Sequence, residues 1–447
     1  MTDPPGKKPS SQSHVLEEVF VLTALLSLAA STGYLCARPE LLQGHFYRLP
    51  LFAVTHVFTT GWIVLMASGV LVRLAPRVWG TPPGRAGLGF TFYGLWVVGA
   101  AGLVMHMARG EWFGVWTSAV LSLLAVLLLF PLHRPVWPLS RRGDWIARYA
   151  LAAVTNLVLA VAAGLFIGLN RHLNWVPLPT YGMLAVHFHL ALAGFVTMLI
   201  FGFGRRLQPT LAPSRSRERW ETPLRFWTLE AGLLALTAAL VVLPPAVPAA
   251  AIVVAGSIWL HAARPVHRLL TGRVTDPATF WVSVALLMLA VTAVLGLVLA
   301  FSGVPADPIL RDRIRFAYGF LGLTGWVTLA MTSFAHKLFP LWVWEERFGA
   351  DLGKRPVPSM RRLHSTTVLH ASGLAQTAGS VAAVLGILLD RDPLAAWGFR
   401  IFTVGILLFG VNFFLMARWS LLRRQYTPSP EDRQRFEEVY GPGSSHR

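Results

Sequence analysis

"HFHLALAGFVTMLIFGFGRRLQP", residues 187–209, sets two histidines one residue apart at the head of an apolar run that ends in two arginines and a proline. A stretch this long and this apolar is a candidate membrane-crossing helix. Two further stretches align with its last 21 residues without a gap: "HVFTTGWIVLMASGVLVRLAP" (56–76) and "FLGLTGWVTLAMTSFAHKLFP" (320–340). All three share a glycine (Gly61, Gly194, Gly325), an aromatic (Trp62, Phe195, Trp326), a basic residue (Arg73, Arg206, Lys337), a leucine (Leu74, Leu207, Leu338) and a final proline (Pro76, Pro209, Pro340). The copies are offset by 133 and then 131 residues. In each, the basic residue is placed to snorkel toward lipid headgroups, and the proline is expected to stop the helix.

The rest of the chain has the same character. It is 54% hydrophobic and 13% charged over 447 residues, about half the charge of an ordinary water-soluble protein. Twelve apolar segments recur, at 16–37, 49–75, 87–108, 112–132, 145–170, 180–207, 223–243, 247–267, 278–303, 313–339, 364–389 and 395–422. The expected fold is all-α: a polytopic membrane domain over 16–422, with polar tails at 1–15 and 423–447. The three related helices then stand second in each of three pseudo-symmetric four-helix repeats, about 16–132, 145–267 and 278–422.

The net charge of +18 could suggest a nucleic-acid partner, but its distribution argues against one. With the tails and alternate loops on one side, that side holds 30 of the 39 Lys and Arg residues, which the positive-inside rule places in the cytoplasm together with both termini. The expected partner of this charge is the anionic face of a lipid bilayer. A bacterial inner (cytoplasmic) membrane is the expected location. A single cysteine, Cys36, excludes an internal disulfide framework, and no Cys-x-x-Cys-His is present for covalent haem attachment.

Ionisable residues inside spans mark functional sites by default. His56, His187 and His189 fall in the outer third of their helices, and His56 and His189 occupy equivalent repeat positions. At the same register the third repeat carries Phe320, with Tyr318 where the second has His187. Two imidazoles from two inner helices suit bis-histidine ligation of a haem iron. His187 points roughly 160° away from His189 on a regular helix, so it is expected to face a second site, a haem or a copper. The plain alternative is a neutral imidazole bonded to a carbonyl or hydroxyl on the next helix. His106, within "MHM" (105–107), combines donors that suit copper, but successive helical residues point about 100° apart and cannot converge without unwinding. Glu230 is the one carboxylate well inside a span, which argues against a redox-driven proton pump.

Twelve spans in three four-helix arcs, with histidines on the inner helices, resemble subunit I of the haem-copper oxidase superfamily. The run from His187 is similar in pattern and length to the family's tenth helix. The resemblance implies b-type haem between the second and sixth spans through His56 and His189, with a second haem or copper at His187. It also implies haem propionates at outer arginines, with Arg48, Arg171, Arg311, Arg313, Arg391 and Arg400 as candidates. The implied role is electron transfer or handling of a diatomic gas (O2 or NO), as in the NnrS-type membrane proteins, and the partner the resemblance implies is a cytochrome or other respiratory subunit. The chain departs from the oxidase pattern in two places. The seventh span has no His-His pair for copper, and the tenth has Tyr318 and Phe320 in place of histidines. An oxygen-reducing centre is therefore not expected. Two other classes fit the same residues: a cofactor-free transporter or metal permease, and a non-catalytic assembly subunit of a respiratory complex.

Overall fold

The computed structural model describes residues 11–177, 180–207, 218–421 and 426–441. Pro209, most of the basic loop 205–220 and the ends of both tails lie outside the described residues. What is described is helical throughout, with no strand. Twelve helices are long and apolar enough to cross a membrane: His14–Ala37, Leu49–Trp79, Ala86–Arg109, Trp112–Leu132, Trp145–Leu173, Tyr181–Leu207, Trp220–Val241, Pro244–Leu270, Pro277–Ala300, Pro308–Asp351, Thr366–Leu388 and Asp392–Ser420. They are called spans 1 to 12 below.

The apolar periodicity explains which spans lie inside. Spans 2, 6 and 10 carry apolar residues nearly all round and are the most buried of the twelve, as helices covered on every side must be. Their outward neighbours present leucine, valine and aromatic side chains to the exterior, among them Leu26, Val98, Trp227, Leu374 and Phe414. In water such a surface would aggregate; facing lipid it needs no further cover. Small residues permit the close approaches. A Cβ on Gly61 would fall 2.3 Å from Ser27, and one on Gly194 would fall 2.7 Å from Asn156, so spans 1 and 5 lie directly on spans 2 and 6. The tightest antiparallel pair is spans 11 and 12, where Gly379, Gly386, Gly398 and Gly405 bring backbone against backbone. The wall is continuous: span 4 packs on span 5, span 8 on span 9, and span 12 on span 1. Spans 2, 6 and 10 meet around a small apolar cavity of about 80 Å³, lined by Met66, Val70, Leu199, Phe203, Met331 and Phe339 among others.

Two features depart from the expected helices. The first is that proline does not end spans 2 and 10. Pro76 lies inside the helix Leu65–Trp79, and Pro340 inside Leu329–Phe348. The extensions are held by tertiary bonds that outweigh the lost backbone ones. Arg77 Nη1 donates to the Arg73 carbonyl at 2.9 Å. Beyond Pro340, Glu346 pairs with Arg73 at 2.5 Å and Glu345 with Arg77 at 3.4 Å. Arg73, only 6% exposed, also pairs with Glu17 at 2.6 Å. In span 10, Lys337 reaches Asp276 at 3.0 Å. The end of the bundle holding Arg73 and Lys337 is thus clamped by charge, and is called the basic end.

The second is a π-helical segment in each inner helix: Val57–Val64, Leu190–Thr197 and Gly322–Thr328. They begin directly after His56, His189 and Leu321, at matching places in the three related stretches. Such segments are uncommon and concentrate at functional sites, because an inserted residue re-aims the side chains on either side.

Candidate functional site

The helices place the three inner histidines in two crevices. His56, at the head of the first π segment, faces His187 of span 6: ring centroids are 6.1 Å apart and the planes differ by 24°. His189 faces Tyr318 of span 10 instead, its Nε2 accepting from the phenol at 2.9 Å with the rings 5.8 Å apart. The sequence reading paired His56 with His189; the structure brings His56 to His187. The reason is the cyclic order of the inner helices. Positions 56, 189 and 320 are equivalent, as are 54, 187 and 318; His56 turns toward position 187 and His189 toward position 318, each on the next inner helix. In the third repeat Phe320 stacks edge-on with Phe316 and Phe399 and offers no donor.

The three rings share one tautomer, and the engagement of Nε2 distinguishes the two crevices. His56 Nδ1 lies 2.7 Å from the Phe52 carbonyl, and His187 Nδ1 lies 2.7 Å from the Ala160 carbonyl of span 5. A carbonyl can only accept, so Nδ1 carries the proton on both rings, leaving Nε2 with a lone pair. Neither Nε2 has a hydrogen-bond partner among the described residues. This is the arrangement of a metal-ligating imidazole, with its second nitrogen donating to a carbonyl. Two imidazoles sharing one metal at about 2.0–2.1 Å per bond have centroids at most about 6.3 Å apart, and this pair falls within that limit. Gly164 lies against His187, where a Cβ would come within 3.0 Å of the ring; any larger residue would push the imidazole aside. His189 Nδ1 is likewise bonded to a carbonyl, that of Ala185 at 2.7 Å, but its Nε2 is already engaged by Tyr318. The ring spacing and the two Nε2 lone pairs are compatible with one metal ion held by His56 and His187. His189 could join a metal only if Tyr318 moved.

The remaining candidates lie elsewhere. His106 is bonded to Glu111 at 2.6 Å and sits over Gly114, while Met105 is exposed and Met107 buried; the three side chains of "MHM" diverge. Among the described residues no group of three or more His, Cys, Asp or Glu is arranged to hold a metal. Arg48 donates to the carbonyls of Leu41 and Gln43, and Arg311 to those of Leu299 and Val304, so both close helix ends. Arg171 meets Tyr47 and Arg313 meets Asp390. Arg315, which pairs with Asp312 and lies over the Tyr181 ring at 5.0 Å, is three residues from Tyr318.

Two histidines nearer the basic end, His261 and His336, are engaged at both nitrogens. His261 Nδ1 bonds the Ser257 carbonyl at 2.8 Å, and its Nε2 meets the Tyr149 hydroxyl at 3.1 Å, under a Phe201 ring stacked at 4.0 Å. His336 Nδ1 bonds the Thr332 carbonyl at 2.7 Å, and its Nε2 accepts from Asn412 at 3.0 Å. Sequence alone missed the Tyr318–His189 bond, although the equivalence of Tyr318 with His187 was the signal for it. The π segments left no signal in residue type.

No protein-family model matches the chain, and no curated protein matches it.

Proposed function

We propose that the protein is a haem-binding integral membrane protein of the haem-copper oxidase subunit I type, acting in electron transfer or in handling a diatomic gas, without a complete haem-copper oxygen-reducing centre. The observation that carries this reading is the His56–His187 pair: two neutral imidazoles from two inner helices, each with Nδ1 bonded to a carbonyl and Nε2 uncommitted. Three further features support it. The π segments stand at equivalent places in spans 2, 6 and 10. The wall of twelve helices closes through span 12 on span 1, as three four-helix arcs would. The basic end, read as cytoplasmic by the positive-inside rule, agrees with cytoplasmic termini in a bacterial inner membrane.

Bound there, a haem iron would supply one-electron chemistry. The protein's own contributions follow from its bonds. The Phe52 and Ala160 carbonyls fix both imidazole tautomers and raise their basicity as ligands. Tyr318 keeps His189 from competing. The apolar wall excludes water and lowers the local dielectric. Copper in the same crevice would use the same two nitrogens.

The test is a reduced-minus-oxidised absorption spectrum of the protein purified in detergent from haem-sufficient cells, with haem and copper quantified. The expected result is a b-type spectrum abolished by His56→Ala and by His187→Ala but retained in His189→Ala. A colourless, metal-free wild type would overturn the reading in favour of a transporter or an assembly subunit, which flux assays would then separate.

A further inference from the structure

Glu230 lies in span 7 with no basic side chain bonded to it among the described residues. Among the described residues its one hydrogen bond is accepted at Oε2 from Asn156 Nδ2, at 2.9 Å. Asn156, on span 5, is completely buried. The same Nδ2 also donates to the Gly194 carbonyl at 3.3 Å, in the middle of the span 6 π segment. Asn156 Oδ1 is buried and has no partner. A carboxylate and a buried amide with an orphaned oxygen are both costly inside a bilayer. Neither is needed to close the helices here, because the neighbouring contacts of Ala160, Val186, Leu190, Ala193 and Leu233 are apolar.

We infer that Glu230, held by Asn156 against the span 6 π segment, is an intramembrane proton-binding site. The inference stands on geometry separate from the histidine crevice and does not require haem. Asn156 can keep its bond to Oε2 in both protonation states. With the carboxyl ionised, the amide donates to a charged oxygen; with it protonated, the proton sits on Oε1 and the same bond continues as a weaker neutral one. Oε1 makes no hydrogen bond among the described residues and is not enclosed, since Glu230 is only half-buried. Proton exchange therefore needs no rearrangement of the amide. One change is transmitted: the pull of Glu230 on Asn156 weakens on protonation, and Asn156 is also bonded to the π segment that follows His189.

Between Glu230 and the basic end lie further polar groups on spans 5, 7 and 8, which are not joined to the carboxyl or into one continuous series. The Tyr149 hydroxyl meets His261 Nε2, and the His261 Nδ1 proton meets the Ser257 carbonyl. The Ser257 hydroxyl lies 3.0 Å from Thr228 Oγ1, two residues from Glu230. The titratable and charged groups on the surrounding elements include Glu221 and Arg225 on span 7, His261, Arg264 and His267 on span 8, Arg148, Tyr149 and Arg171 on span 5, and His187, His189, Arg205 and Arg206 on span 6. No bond joins any of them to the carboxyl.

Infrared difference spectroscopy on the reconstituted protein tests this, comparing acid with alkaline buffer in the presence of choline chloride. The expected result is a protonated-carboxyl C=O band that appears on acidification, is lost in Glu230→Gln and shifts in frequency in Asn156→Leu, with both variants keeping the wild-type helical spectrum. A wild type with no titrating carboxyl band, or one whose band survives Glu230→Gln, would overturn the proposal. So would a band removed by replacing choline with sodium at fixed pH, which would show a metal-cation site instead. Should Glu230→Gln fail to fold, Asn156→Leu alone decides, since an unshifted band would place the proton on another carboxyl.

Discussion

The two histidine crevices have nearly the same shape and differ in whether their nitrogens are engaged. In one, His56 and His187 stand 6.1 Å apart with both Nε2 atoms uncommitted. In the other, His189 and Tyr318 stand 5.8 Å apart with the imidazole bonded to the phenol. The lesson is that a histidine inside a membrane span is not by itself a ligand. His189, His261 and His336 each have a partner for both nitrogens, and they serve the fold as any satisfied buried polar group does. What distinguishes His56 and His187 from these three is an Nε2 with no partner among the described residues on each of two facing rings.

The largest effect expected from that contrast is all-or-none. His187→Tyr copies the second crevice into the first; on the proposed haem reading it should abolish haem binding while leaving the helical content unchanged, read by absorption and circular dichroism on the same sample. The converse change, Tyr318→His, copies the first crevice into the second; metal analysis should then find a second equivalent bound between residues 189 and 318. If Tyr318→His gains nothing, tautomer and spacing are not sufficient, and the contrast loses its force.

Next in size is a stability effect that leaves the chromophore alone. Arg73→Ala strips the buried partner from Glu17 at the far end of span 2, and should cost about 3–5 kcal/mol in denaturant unfolding in mixed micelles. Its counterpart Lys337→Ala breaks a more exposed pair and should cost no more than about 1 kcal/mol. Tyr149→Phe leaves His261 Nε2 buried without a partner, and should cost about 1–3 kcal/mol with no change in colour. A spectral change in Tyr149→Phe would mean that the closed histidines are not merely structural.

The smallest effect is a dependence on acid. Burial alone would push the Asp276 carboxyl up, but bonds from the Thr279 hydroxyl and backbone N–H, and the Lys337 ammonium, hold it below the usual range. A group depressed by folding stabilises the native state fully above its unfolded value, about pH 4, and loses that contribution as pH falls through the lower folded value. Asp276→Asn should therefore flatten the acid limb of the stability profile while leaving the neutral range little altered.

Much of this was legible in the chain. The apolar segments located all twelve spans, eleven of them to within four residues at each end, because a span must satisfy its own backbone and so announces itself in composition; span 10 runs twelve residues further than its apolar segment. The equivalence of 56 with 189 and of 187 with 318 was legible too. Which member faces which was not, because a repeat found in sequence carries no handedness and the ring order is a property of packing. The prolines misled for a similar reason. Local preference stops a helix at Pro340, but Glu345 and Glu346 pair with arginines on span 2, and no window on span 10 contains those arginines. The partner of Glu230 is 74 residues away, beyond any local pattern.

The π segments carry a consequence for how this sequence can change. Each amounts to one residue more than a regular helix would need, so removing a single residue from 190–197 would yield a smoother and intrinsically easier helix. That same edit would turn everything before it by about 100° and shift it by about 1.5 Å along the axis, swinging His187 off His56 and His189 off Tyr318 together. Deletions here would spare the architecture and erase the chemistry. A lineage that had no use for the crevices would therefore be expected to shed these extra residues, whereas this chain keeps all three.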